Sequence, residues 1–173
     1  MEEVYSKIGS IPTGSAPDTV LEGCLVLEGG AFRGLYTQGV LDAWMQRGVN
    51  FQCTLGVSAG ALAGVSYCSG QIGRSARANL AHRHDKDYIG PGALRKSKSL
   101  IRLDFLIDDY NEMEPLDMER FNDPRRRLLV ETTDCRTGEP LYWERGKCDI
   151  FTAAKASASM PFVTPMVEVE GIP

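Results

Sequence analysis

Two short stretches have the residue types and spacing to do chemistry. The first is Gly56-Val57-Ser58-Ala59-Gly60, a G-x-S-x-G pattern. A serine held at a tight strand-to-helix turn projects its hydroxyl, and side chains at the flanking positions would collide, which accounts for glycine at both. The helix that follows turns its first amides toward any oxyanion formed beside the serine. The second stretch is Glu28-Gly29-Gly30-Ala31-Phe32-Arg33-Gly34, also at a strand-to-helix junction. Backbone amides in such a loop can point into one small volume and bind an anion. Acyl transfer joins the two. A serine nucleophile needs an oxyanion hole, and adjacent parallel strands would bring both loops to one sheet edge.

Rival chemistries fit less well. A dinucleotide loop needs G-x-G-x-x-G, but Ala31 replaces the central glycine and no acid closes the second strand. The P-loop pattern fails, since no G-K-[ST] is present. His82 and His84 follow Ser58, but no acid lies between, as the hydrolase order Ser…Asp…His requires. Asp134 follows a strand and reads as a turn residue. No EF-hand spacing occurs, and Cys24, Cys53, Cys68, Cys135 and Cys148 form no C-x-x-C. No metal or other cofactor is expected, and the thiols read as reduced and mostly buried.

The elements that must position these residues follow from hydrophobic pattern. Cys24-Leu25-Val26-Leu27 reads as a buried strand between Gly23 and Gly29. Tyr36, Val40 and Trp44, with Leu41 and Met45, form the apolar stripe of a helix that Gly48 stops. A second strand near Phe51 to Leu55 enters the serine turn, and small residues continue to Cys68 as a buried helix. Strand–helix–strand–helix predicts an α/β fold with a mainly parallel sheet and helices on both faces, a three-layer sandwich. Arg127 to Thr133, a turn at Arg136 to Glu139, and Leu141-Tyr142-Trp143 predict a hairpin over 127–143. Phe151 to Ser159 reads as a helix closed by Met160-Pro161, and Met166 to Val169 as a last strand before a turn at Gly171.

The middle is charged. Arg74 to Arg102 holds eight Lys or Arg against two Asp, and Asp104 to Glu119 holds seven acids and no base. Mutually attracting helical faces are expected, with a lid over a charged surface as the alternative. Residues 1–20, rich in Gly, Pro, Ser and Thr, read as a flexible leader. A chain of 173 residues with 43% hydrophobic and 24% charged residues fits one globular domain and excludes disordered and coiled-coil classes. A net charge of −4 argues against a nucleic-acid partner. With no signal peptide and no membrane-length apolar run, a cytoplasmic location peripheral to membranes is expected.

Taken together, these motifs resemble the patatin-like phospholipases, a family of serine acyl hydrolases. The resemblance covers residues 24 to 173. Gly29 to Gly34 is similar to the family's glycine loop except at Ala31, and Gly56 to Gly60 matches its nucleophile motif. Thr133-Asp134 with Thr137-Gly138-Glu139 looks like its hairpin segment, and Ser157-Ala158-Ser159-Met160-Pro161 with Pro165 like its Ala/Ser-helix-then-proline segment. The resemblance implies a catalytic domain over 21–173, incomplete at its C-terminal end. It also implies a Ser–Asp dyad in which Ser58 attacks a lipid or other carboxylic ester. The amides near Gly29, Gly30 and Ala31 would hold the oxyanion, and Arg33 would help fix that loop or add positive charge nearby, with Gly34 part of the same motif. Transient contact with a membrane surface is implied too. Alanine at position 31 is tolerable only where the backbone angle is negative. The family's dyad aspartate stands in an Asp-Gly motif after the strand matching Met166 to Val169, and the sequence contains no Asp-Gly. The aspartate is therefore expected beyond Pro173. The chain is expected to be inactive or impaired, or to be a lipid- or partner-binding module with a vestigial elbow.

Overall fold

Strands β1 (Leu21–Leu27), β2 (Phe51–Val57), β3 (Arg127–Thr133) and β4 (Pro140–Glu144) form one sheet in that order, in a computed structural model that describes residues 8–173. β1 and β3 each run parallel to β2, and β4 returns antiparallel to β3. Between the strands lie α1 (Gly34–Gln46), α2 (Ala59–Cys68), α3 (Arg74–His82), α4 (Pro91–Ser97), α5 (Tyr110–Met113) and α6 (Met118–Phe121); α7 (Ile150–Ala158) follows β4. The α/β fold with a mainly parallel sheet and the 127–143 hairpin both stand as the sequence predicts.

Register decides which side chains face the helices. Leu25 lies opposite Thr54 and Leu27 opposite Gly56, while Thr54 and Gly56 pair with Leu128 and Val130. All of these turn to one face. There Ala61, Val65 and Cys68 of α2 pack with Leu128 and Val130 and with Ile150, Ala153 and Ala154 of α7. Leu27, Leu41, Met45, Ala63 and Tyr67 make a second cluster that ties α1 to α2. Both parallel crossovers step the same way across the sheet, so the right-handed rule puts α1 and α2 on the same face. Among the described residues the helices gather on that face. The other face carries Cys24, Val26 (66% exposed) and Tyr142 (57% exposed). β1 is thus packed on one side only, unlike the buried strand its apolar run predicts.

Other expectations shift. On α1 the buried positions are Gly34, Gln38, Leu41, Asp42 and Met45, while Tyr36 is 81% exposed. The stripe is rotated from the Tyr36–Val40–Trp44 reading, because two polar residues take core positions. Asp42 accepts the Gly73 amide at 2.7 Å, which anchors the loop before α3. Residues 165–168 form no strand, and Val169 only bridges Ile172 across the turn at Gly171. A lone segment with no neighbour to pair with has no ladder to join. The stretch read as a leader is tied to the body from Ile8 onward. Ala16 donates to Gly70, Gly14 accepts from Ile72, Pro17 accepts from Asn50 and Pro12 accepts from Arg77. Residues 1–7 lie outside the described residues. Among the described residues no helix is long and apolar enough to cross a membrane.

Candidate active site

Ser58 sits between the last residue of β2 and the first of α2, at φ 54° and ψ −120°. This is a left-handed, strained conformation for a residue with a side chain, and strain of this kind persists only where the surroundings enforce it. The flanking glycines do so. A Cβ on Gly56 would lie 2.6 Å from the Ala61 Cα, and one on Gly60 would lie 2.7 Å from the Glu28 carbonyl oxygen. Real side chains never approach backbone so closely, so the turn is available only to glycine at both places. The predicted reason for the spacing therefore holds in the geometry.

The same approach brings β1's loop onto the serine. Leu27 and Gly56 are register partners, so both strands end level. A Cβ built on Gly29 would lie 3.0 Å from the Ser58 Cβ and 3.6 Å from its Oγ. Gly34 opens α1 against Ala59, the first residue of α2, with its own virtual Cβ 3.0 Å from the Ala59 Cβ. Two helix N-termini thus converge beside one hydroxyl. α2 starts without a side-chain cap, which leaves its first amides available to an anion. The Ser58 amide itself donates to Ser157 Oγ on α7 at 2.7 Å.

A cavity of about 60 Å³ lies over Ser58, walled by Phe32, Leu62, Tyr88, Ile101, Leu103 and Leu106 among others. Its lining is apolar apart from Ser58, Gln38, Asn79 and the Tyr88 hydroxyl. A larger hollow of about 620 Å³ adjoins through Met160, between Val57, Ser157, Phe162, Met166 and Val169. Neither histidine lines the cavity over Ser58, nor does any carboxylate. His82 is engaged with Phe105 and Tyr110, at ring distances of 5.1 and 5.7 Å, and His84 accepts from Arg83. Asp134 is a turn residue, as expected. Its carbonyl caps the 134–138 turn, and the hydrogen bond from the Arg136 side chain holds its carboxyl below the usual carboxylate range.

Residues 25–173 match the family model described as patatin-like phospholipase. The chain belongs to that family. It is also 30% identical over 155 residues to the uncharacterized protein YjjU of Escherichia coli (strain K12), covering 86% of this chain and 43% of that protein. The chain therefore spans less than half the length of that relative. The patatin-like phospholipases are lipid acyl hydrolases, which agrees with an apolar cavity over a strained serine.

Within this patatin-like domain the glycine loop departs from the simple reading at one point. Ala31 has φ 47°, the left-handed angle the sequence reading held to be incompatible with alanine. The loop keeps its glycine-type path, and the methyl group is carried at a cost of roughly 1 kcal/mol. Arg33 is exposed, and its side chain folds back over the loop so that a Cβ on Gly30 would lie 3.4 Å from its Nε. That placement suits the loop-fixing role.

Sequence reading missed two groups of residues. Ser157 was visible only as part of an Ala/Ser helix, and nothing in its spacing marks it as the partner of the Ser58 amide. Tyr88, Ile101, Leu103 and Leu106 were hidden inside a segment whose charge dominates its composition. Their attachment is electrostatic, as the charge pattern predicts. Arg77 and Glu114 pair at 2.5 Å, Arg74 donates to the Glu114 carbonyl and Arg102 pairs with Asp109. Tyr88 and Phe105 stack beneath these pairs at 5.0 Å.

Proposed function

We propose that the protein is a lipid acyl hydrolase of the phospholipase A or esterase type, acting through an acyl-enzyme on Ser58. The observation that carries this reading is the strained Ser58 with Gly29 laid against it under an apolar cavity. In the proposed step Ser58 Oγ attacks the ester carbonyl and gives up its proton to a carboxylate base. The carbonyl oxygen becomes an oxyanion, received by amides of the Gly29–Gly30–Ala31 loop and the start of α2. The alcohol leaves, and water then cleaves the acyl-enzyme. The base is an aspartate expected beyond Pro173. The acyl chain lies in the cavity walled by Leu103, Leu106 and their neighbours, a setting that favours a hydrocarbon over a polar acid. Contact with a membrane surface is supported by Phe32 and Phe162, which are exposed beside the two hollows.

The second reading is a lipid- or partner-binding module without turnover. It is favoured by the left-handed Ala31 and by the lack of any carboxylate lining the cavity over Ser58. One experiment separates the two. The chain, and a version extended past Pro173, are treated with a fluorophosphonate and weighed intact, with Ser58→Ala as control. Labelling at Ser58 in both shows that nucleophile and oxyanion loop assemble without the tail. Labelling of the extended chain alone assigns the base to the tail. Labelling of neither, or ester turnover retained by extended Ser58→Ala, defeats the hydrolase reading.

A further inference from the structure

The uncovered sheet face holds a pair of thiols that the acyl chemistry does not use. Cys24 on β1 and Cys53 on β2 are Cα partners in the parallel ladder. The Cys24 thiol donates to Cys53 Sγ at 3.1 Å. Cys24 is exposed and Cys53 half-buried, and only Cys68 is buried among the cysteines, contrary to the expectation of mostly buried thiols.

A bulge sets this pairing. Leu21 pairs with Phe51 and Cys24 with Cys53, so β1 spends one more residue than β2 between the two pairs. Gly23 sits in that bulge at φ 142°, with Phe51 against the place where a Cβ would be. A one-residue slip in a strand moves every side chain to the opposite face. Without the bulge Gly23 would stand opposite Cys53, and Cys24 would point into the helical core. The extra residue thus turns a sulfur toward a sulfur.

We propose that Cys24 and Cys53 are a reversible thiol–disulfide pair, oxidised by a low-molecular-weight disulfide such as glutathione disulfide. A disulfide bond is about 2.0 Å long, so the two sulfurs at 3.1 Å need to close by only about 1 Å. Directly paired strand residues also fall within the Cα separation that disulfides span. The order of events follows from exposure. Cys24, as the thiolate, attacks one sulfur of glutathione disulfide, and that bond breaks to release one glutathione, which takes up the proton. Cys53, after losing its own proton, attacks the Cys24 sulfur and expels the second glutathione as a thiol. Two protein thiols are oxidised and one glutathione disulfide is reduced to two glutathiones. In the resting pair burial pushes the Cys53 thiol up to about 11. Cys53 therefore waits protonated while the exposed Cys24 meets the oxidant. The other thiols are engaged differently: Cys135 donates to the Thr133 carbonyl, Cys148 donates to the Glu144 carbonyl, and Cys68 is buried in the helical core.

The test is a glutathione redox titration of the whole chain, quenched with N-ethylmaleimide, followed by intact mass and a non-reducing peptide map. The expected product has lost two hydrogens, carries a Cys24–Cys53 linked peptide and keeps alkylated Cys68, Cys135 and Cys148. Cys53→Ser should instead accumulate a stable glutathione adduct on Cys24. Wild-type chain that accumulates the Cys24 adduct without the cross-link overturns the proposal. So does Cys24 appearing only in disulfides between chains. These wild-type outcomes decide the matter even if a variant fails to fold.

Discussion

The two glycine turns at the top of β1 and β2 carry the same backbone demand and meet it differently. Each places a non-glycine residue in the left-handed region, Ala31 at φ 47° and Ser58 at φ 54°. At Ser58 the strain accompanies a hydroxyl set beneath a cavity, between glycines that no other residue can replace. At Ala31 the strain accompanies a methyl group. A left-handed residue is therefore no sign of function by itself. What distinguishes the elbow is that its neighbours fix it from several sides, and the predictions probe that difference.

The largest effect belongs to the elbow's packing. Gly60→Ala puts a Cβ onto the Leu27 and Glu28 carbonyls, which are backbone atoms and cannot swing aside. A loss of about 3 kcal/mol, or failure to fold, is expected by urea denaturation. Gly39→Ala, at an exposed position of α1, is the contrasting substitution, because nothing lies within 4 Å of the added Cβ. It should stabilise by up to ~1 kcal/mol from helix propensity alone. Equal and small effects at the two positions would show that α2 does not sit tightly against the end of β1.

Next comes the link from α7. Ser157→Ala removes the acceptor of the Ser58 amide and leaves that donor part-buried and unpaired. A loss of about 1 kcal/mol is expected, together with slower fluorophosphonate labelling if Ser58 labels at all. Ser157→Thr keeps an oxygen there and should restore part of both.

The charged segment offers a comparison in pH. Burial pushes Glu114 up, but hydrogen bonds from Arg77 and Tyr110 and the charges of Arg77 and Arg74 outweigh it, so its pKa is lowered from 4.5. A carboxyl lowered on folding adds stability above its unfolded pKa and loses that contribution as pH falls through the folded value. The near-UV signal of the Tyr88, Phe105 and Tyr110 cluster should therefore weaken as pH falls below the ordinary glutamate value of 4.5 and through the lowered folded one. Glu114→Gln should lower the melting temperature near neutrality and flatten its fall in acid. A profile unchanged by that substitution would mean the aromatic stack holds the segment without the ion pair.

These contrasts explain what could be read from sequence. The mainly parallel sheet, the elbow and the hairpin were legible because each rests on local pattern: strand–helix alternation, glycine sterics in the turns and strand periodicity at the hairpin. The buried face of α1 was not, since Gln38 and Asp42 occupy core positions and are satisfied or shielded only by distant segments. Ser157 and the apolar wall over Ser58 were invisible for the same reason: they lie 99 residues and some 30 to 48 residues along the chain from the serine, and only tertiary packing unites them. The Cys24–Cys53 contact depends on a one-residue bulge, a detail that periodicity does not report.

The smallest expected effect is at the other turn. Ala31→Gly relieves a left-handed alanine, worth roughly 1 kcal/mol, but frees the unfolded chain by a similar amount. The net gain should be about 0.5 kcal/mol or less, read as a slight rise in urea midpoint. Its value lies in the labelling rate. The loop already follows a glycine-type path with Gly29 against Ser58, so losing the methyl group does not require a new path. Fluorophosphonate labelling should change by less than about threefold, against the 10²–10³ that a lost oxyanion donor typically costs. A tenfold or greater rise would show that the methyl group had been holding a donor out of line. In that event Ala31 would mark a weakened oxyanion loop, and the contrast between the two turns would become one between an intact half of the site and an impaired one.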